Sequence, residues 1–99
     1  MNRDRALEIL TTLRPSLEER GIAHAAIFGS VGRDDAREAS DIDVVVTPSR
    51  RRRLDLIDLG GVQTILDEGF AGVSVDVVVE PVRRRDLKAA VERDRVDAF

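Results

Sequence analysis

Two acids stand close together in Ser40-Asp41-Ile42-Asp43-Val44-Val45-Val46, shortly after Gly29-Ser30. The run of β-branched residues predicts a strand, in which residues two apart share a face. Asp41 and Asp43 then project together while Ile42 turns the other way. At a separation of roughly 6 Å and an effective dielectric near 20, their repulsion is about 3 kcal/mol, a large share of a small domain's net stability. A divalent cation removes that penalty, so the pair is a candidate metal site.

A third acid interrupts a similar stretch, Val73-Ser74-Val75-Asp76-Val77-Val78-Val79. An unpaired carboxylate inside an apolar strand is costly. If the two strands lie in one sheet, Asp76 reaches the face of Asp41 and Asp43 and three oxygen donors converge. Oxygen-only ligation suits a hard ion, Mg²⁺ or Mn²⁺, and Mg²⁺ commonly completes its shell with waters and substrate phosphates. A phosphate-bearing substrate is therefore expected. Ile27-Phe28-Gly29-Ser30-Val31-Gly32-Arg33 reads as a strand entering a turn and short helix, whose first backbone N–H groups lack internal acceptors. Singly these signals are weak, since aspartate also begins turns and caps helices. Their order is what carries weight.

With those residues in place, the chain resembles the minimal nucleotidyltransferases of the DNA polymerase β-like superfamily. The resemblance runs roughly from residue 23 to residue 91 and rests on Gly29-Ser30, Arg33, Ser40-Asp41-Ile42-Asp43 and Asp76. It implies that Gly29 and Ser30 hold a triphosphate, that Asp41 and Asp43 bind metal, and that Asp76 serves the attacking hydroxyl. Two ions, Mg²⁺ or alternatively Mn²⁺, are implied at Asp41, Asp43 and Asp76, with ATP as the expected nucleotide. Arg33 either neutralises a phosphate or pairs with Asp34, Asp35 or Glu38. Gly32 stands where the family often has alanine, and Asp34-Asp35 where a glycine and an acid are common.

Within that superfamily the likeness is greatest to small antitoxins that act beside HEPN-domain ribonuclease toxins. This implies transfer of AMP to a tyrosine of a partner protein and a hetero- or homo-oligomeric complex. Two rival readings are a catalytically inactive module that masks its partner, and a transferase for a small molecule of the aminoglycoside type.

The chain has 99 residues, which suggests one domain with one modest core. Sixteen basic and 19 acidic residues give a net charge of −3, which argues against general attraction to nucleic acid or an anionic membrane. Aromatic content of 3% offers little for base stacking. The absence of cysteine excludes disulfides, thiolate catalysis and zinc–thiolate sites. No apolar stretch reads as a signal peptide or membrane span, so a cytoplasmic location is expected.

Periodicity predicts a helix capped by Asn2, striped by Ala6, Leu10, Leu13 and Leu17 and divided at Pro15. Strands are expected over residues 23–28, 41–47 and 73–80. A short helix is expected over 30–36, a helical stretch over 50–70 with a break at Gly60-Gly61, and a last helix over 82–96. The result is a small mixed α/β sheet, with helices on one face and the acids at the other. Arg50-Arg51-Arg52-Arg53 and Arg83-Arg84-Arg85 each open an expected helix, where positive charge opposes the macrodipole. A solvated surface is the preferred reading for both. His24 is expected to be structural.

Overall fold

The computed structural model describes residues 1–32 and 41–99. Helix α1 (Arg3–Thr12) starts where expected, because the Asn2 side chain accepts from the Arg5 backbone N–H at 2.8 Å. Leu13 ends α1 and begins α2 (Arg14–Glu19), with Pro15 in the first turn of α2, where a missing N–H costs nothing. Strand β1 (Ile22–Phe28) leads into the one-turn helix α3 (Gly29–Gly32), followed by β2 (Ile42–Pro48), α4 (Leu56–Gly69), β3 (Val75–Val79), α5 (Arg85–Asp94) and β4 (Val96–Asp97).

The strands form one sheet in the order β3-β2-β1-β4. β1 is antiparallel to both β2 and β4, and β2 is parallel to β3. This is the mixed α/β sheet the sequence predicts. Alternation along the strands makes two unequal faces. Ala25, Ile27, Ile42, Val44, Val46 and Val75 join Ala6 and Leu10 of α1, Leu17 of α2, and Val62 and Leu66 of α4 in the main core. Ala26, Phe28 and Val45 point the other way and meet Val91 of α5. The expected layering therefore holds for α1, α2 and α4, whereas α5 packs on the opposite face. Its inner residues Leu87 and Val91 face the apolar half of that side.

Several element boundaries differ from the sequence reading. Helix α4 runs through Gly60-Gly61 without a break. Two things hold it together. Reciprocal hydrogen bonds between Asp55 and Asp58 cap its start (Asp58 N to Asp55 Oδ1 2.8 Å, Asp55 N to Asp58 Oδ2 3.2 Å), and Val62 and Leu66 are fully buried beyond the glycines. At Gly61 a β-carbon would come within 2.7 Å of the Arg20 guanidinium, so this glycine makes room for a packed side chain and is not a breaker. The last helix stops at Asp94, because β4 pairs with Ala26 and Ile27 and Phe99 exchanges hydrogen bonds with Ala25. Val96 and Phe99 accordingly pack on their own core.

The first arginine run lies in the loop ahead of α4 and not inside a helix. Arg52 has a structural task there, donating to the Glu19 carbonyl at the end of α2 and to buried Asp58. Arg50, Arg51 and Arg53 are exposed, as the solvated reading expects. In the second run, Arg84 is tied to Asp86 on the surface at 2.8 Å.

Candidate active site

The parallel register of β2 with β3 sets Asp43 beside Asp76, as it sets Val44 beside Val77. Side-by-side residues of neighbouring parallel strands share a face and stand about 5 Å apart at the backbone. The antiparallel register sets Phe28, the last residue of β1, on the other side of Asp43. One row across the sheet thus reads Phe28, Asp43, Asp76, and it lies where β1 ends and β2 and β3 begin. Asp41 immediately precedes β2. The ladder is already formed there, since Ile42 N–H donates to the Ser74 carbonyl at 2.9 Å, and alternation carries Asp41 to the face of Asp43. Asp41 and Asp76 are exposed and Asp43 is half-buried.

Gly29 follows Phe28 directly and has φ +67°, a left-handed conformation that side chains disfavour. A β-carbon at Gly29 would collide with the Asp43 carboxylate. The turn between β1 and α3 is therefore pressed against Asp43 as only glycine permits, and Ser30 is the next residue, half-buried. Gly32 is equally constrained: a β-carbon there would sit 2.5 Å from the Asp94 carbonyl oxygen at the end of α5. That contact accounts for glycine where alanine is common, and it makes α5 a clamp on α3.

Arg33 and residues 34–40 lie outside the described residues, and with them both roles expected for Arg33, a phosphate contact or an ion pair with Asp34, Asp35 or Glu38. Among the described residues, no three acids or imidazoles stand close enough together to form a metal cage. The backbone brings Asp41, Asp43 and Asp76 to one face at one end of the sheet, while their side chains do not form a closed cluster. The donor set still suits a hard cation: three carboxylates on one rim, with a glycine turn lying against the middle one. His24 is exposed on β1 and takes no part in this group.

The sequence reading missed a second polar group on the same face. Arg95 donates to Glu80 at 2.6 Å and to Asp97 at 2.7 Å, and Glu80 also accepts from the Thr47 hydroxyl at 3.0 Å. Burial by itself would lower the Arg95 guanidinium, but hydrogen bonds to Asp97 and Glu80 outweigh it and raise it above its ordinary value. This network links β3, β2 and β4 at the end of the sheet away from Asp43. A signal for it exists, since Glu80 has the same strand parity as Asp76; its partner is hidden because periodicity assigns residue 95 to the last helix.

With this geometry established, the similarities to known proteins are informative. Residues 10–97 match the nucleotidyltransferase domain family. A candidate protein adenylyltransferase of Methanocaldococcus jannaschii is 33% identical over 92 residues, covering 93% of this chain and 96% of that protein. A solved structure of a candidate minimal nucleotidyltransferase superposes with TM-score 0.70 at 28% identity, covering 97% of this chain and 95% of the other. A toxin–antitoxin structure with AMP-PNP shares the fold, with TM-score 0.68 at 19% identity over all of this chain and 73% of the other. The match extends through the glycine turn, the paired strands and the closing helix, and the chain belongs to the nucleotidyltransferase domain family, as an enzyme of its minimal kind.

Proposed function

We propose that this enzyme transfers a nucleoside monophosphate, AMP from ATP, to a hydroxyl of a partner protein, as the antitoxin member of a toxin–antitoxin pair whose toxin is of the HEPN type. The observation that supports it most is the single row holding Asp43 and Asp76, with the Gly29 turn against Asp43. The relative from Methanocaldococcus jannaschii supports a protein acceptor, and the fold shared with toxin–antitoxin structures supports the pairing.

In this reading Gly29 and Ser30 receive the triphosphate through the unpaired N–H groups of the first turn of α3 and the Ser30 hydroxyl. Asp41, Asp43 and Asp76 would hold Mg²⁺, two ions in all, or Mn²⁺ in its place. When bound, the cations would offset the triphosphate charge and make the acceptor hydroxyl more acidic. The acceptor oxygen bonds to the α-phosphorus as the bond to the bridging oxygen of pyrophosphate breaks. Asp76, on the outer side of the row, takes the hydroxyl proton, and pyrophosphate leaves with the electron pair. Phe28 closes the inner side of the row against water, and α5, held on α3 at Gly32, keeps the turn in place.

No helix among the described residues is long and apolar enough to cross a membrane. A cytoplasmic setting, where ATP is plentiful, fits this reaction. Incubation with Mg²⁺, each nucleoside triphosphate and the product of the neighbouring reading frame, followed by intact-mass spectrometry, tests the proposal. The expected adduct is one AMP on the partner. Binding of the partner with no adduct under any nucleotide would support the masking role instead.

A further inference from the structure

β3 is an edge strand, with β2 on one side and, among the described residues, no strand on the other. Its hydrogen bonds to β2 fix which backbone groups are spare. Ile42 donates to the Ser74 carbonyl and Glu80 donates to the Val46 carbonyl, so Ser74, Asp76, Val78 and Glu80 turn their backbone groups inward. By alternation Val75, Val77 and Val79 turn theirs outward. The Val75 carbonyl is occupied, accepting from the Gln63 side chain at 3.1 Å. The outward groups of Val77 and Val79 are left along a short, β-branched edge, an arrangement that invites an added strand.

This edge also carries Asp76. On an added strand, the residue opposite Asp76 would project its side chain to the same face, with β-carbons about 5 Å apart. Past Pro81 the chain presents Arg83, Arg85 and Lys88, all exposed and, among the described residues, without ion pairs. The distance from Asp76 to Glu80 is four strand residues, about 13 Å, and the cations follow beyond.

We propose that the acceptor is an extended polypeptide segment that adds to the free edge of β3, with its hydroxyl side chain opposite Asp76 and acidic residues four to seven positions away, facing Arg83, Arg85 and Lys88. This rests on the transfer reaction proposed above and names the form its acceptor takes. It accounts for the second arginine run. It also explains why an acid thought to serve the acceptor sits on the outermost strand and not in the middle of the sheet. A second copy of the chain is a poorer occupant, since pairing its β3 here would set valine or a like-charged carboxylate opposite Asp76.

The test uses the whole chain with Mg-ATP and three probes. These are a nine-residue Val/Thr peptide with one central tyrosine and a pair of glutamates at its C-terminal end, the same peptide with the glutamates at its N-terminal end, and N-acetyl-tyrosinamide. Transfer to one of the two peptides is expected to be about tenfold faster than to the amino-acid amide, the change that 1.4 kcal/mol of docking produces. N-methylation of the peptide amides that face the edge should abolish the difference, as should the double variant Arg83→Glu/Arg85→Glu, which leaves Mg-dependent ATP binding unchanged. Amide NMR shifts on peptide addition should centre on Val77 and Val79. Equal rates for all three probes, insensitivity to N-methylation, or shifts elsewhere would overturn the proposal. So would peptide-free, concentration-dependent shifts of the same amides accompanied by a sedimenting dimer, which would assign the edge to self-pairing. If no probe is modified, the Val77 and Val79 shifts decide. Loss of Mg-dependent ATP binding would count against the transfer reaction itself and not against the edge.

Discussion

The two faces of the sheet are built from the same strands and differ in what covers them. Against α1, α2 and α4 the inward residues are uniformly apolar, and Leu10, Leu17, Ile27, Ile42 and Leu66 are fully buried. The opposite face has one helix, α5, over Ala26, Phe28 and Val45, with acids or polar networks at both ends. One side therefore supplies stability through burial, and the other sets two acids, Asp43 and Asp76, side by side in one row. The contrast teaches that a small chain can separate the two tasks by strand parity alone, because neighbouring residues of β2 point to opposite layers.

Perturbations on each face should therefore have different signatures. The largest effect is expected from Asp43→Asn or Asp76→Asn. Either should cut nucleotide transfer by about 10³-fold, because several kcal/mol of transition-state stabilisation is lost, while circular dichroism shows the fold retained. Near-normal transfer by either variant with Mg²⁺ present would remove the site assignment. On the other face, Leu66→Ala should cost about 2–5 kcal/mol in urea unfolding, while transfer per folded molecule stays near the starting value. A selective loss of turnover there would show that the faces are coupled.

Gly29→Ala sits between the two. Its positive φ and the Asp43 carboxylate both oppose a β-carbon, so a stability loss of about 1–3 kcal/mol should come with weaker Mg-ATP binding by calorimetry. Smaller still is Gly60→Ala. Nothing lies within 4 Å of the added carbon, so α4 should gain about 0.5–1 kcal/mol. Gly61→Ala, which must displace Arg20, should gain less or lose. The smallest effect concerns pH. Hydrogen bonding from the Asp58 N–H, opposed by desolvation and joined by weaker contacts, lowers Asp55 below its ordinary 3.8. A lowered carboxylate stabilises the fold above its unfolded value and loses that contribution as the pH falls through the folded one. Wild type and Asp55→Asn should therefore differ most above about pH 4 and converge in stronger acid, as followed by thermal melts.

Much of the molecule was legible in one dimension because the relevant forces are local. Asn2 marks a helix start through a hydrogen bond that spans three residues, Pro15 marks another because it has no N–H to leave unpaired, and the valine runs of β2 and β3 declare strands. The glycine–serine turn and the spaced acids could be read as a candidate site for the same reason, since parity along a strand is a sequence property. The unbroken α4 was not legible, since what keeps it intact through Gly60-Gly61 is burial of Val62 and Leu66 and the packing of Arg20, all supplied by other elements. Nor was β4, whose two residues become a strand only because β1 offers an open edge.

The sequence by itself determined which residues could do chemistry, since hard oxygen donors, a glycine turn and the absence of thiols are fixed by composition and order. Tertiary structure decided that Asp76 stands beside Asp43 and not one residue off, because parallel register depends on how two strands far apart in the chain align over a shared core. A slip of one position would have turned Asp76 into the apolar layer. It also decided that α5 closes on the acidic face, because contacts between Gly32 and Asp94, 62 residues apart, leave no periodic trace in the chain.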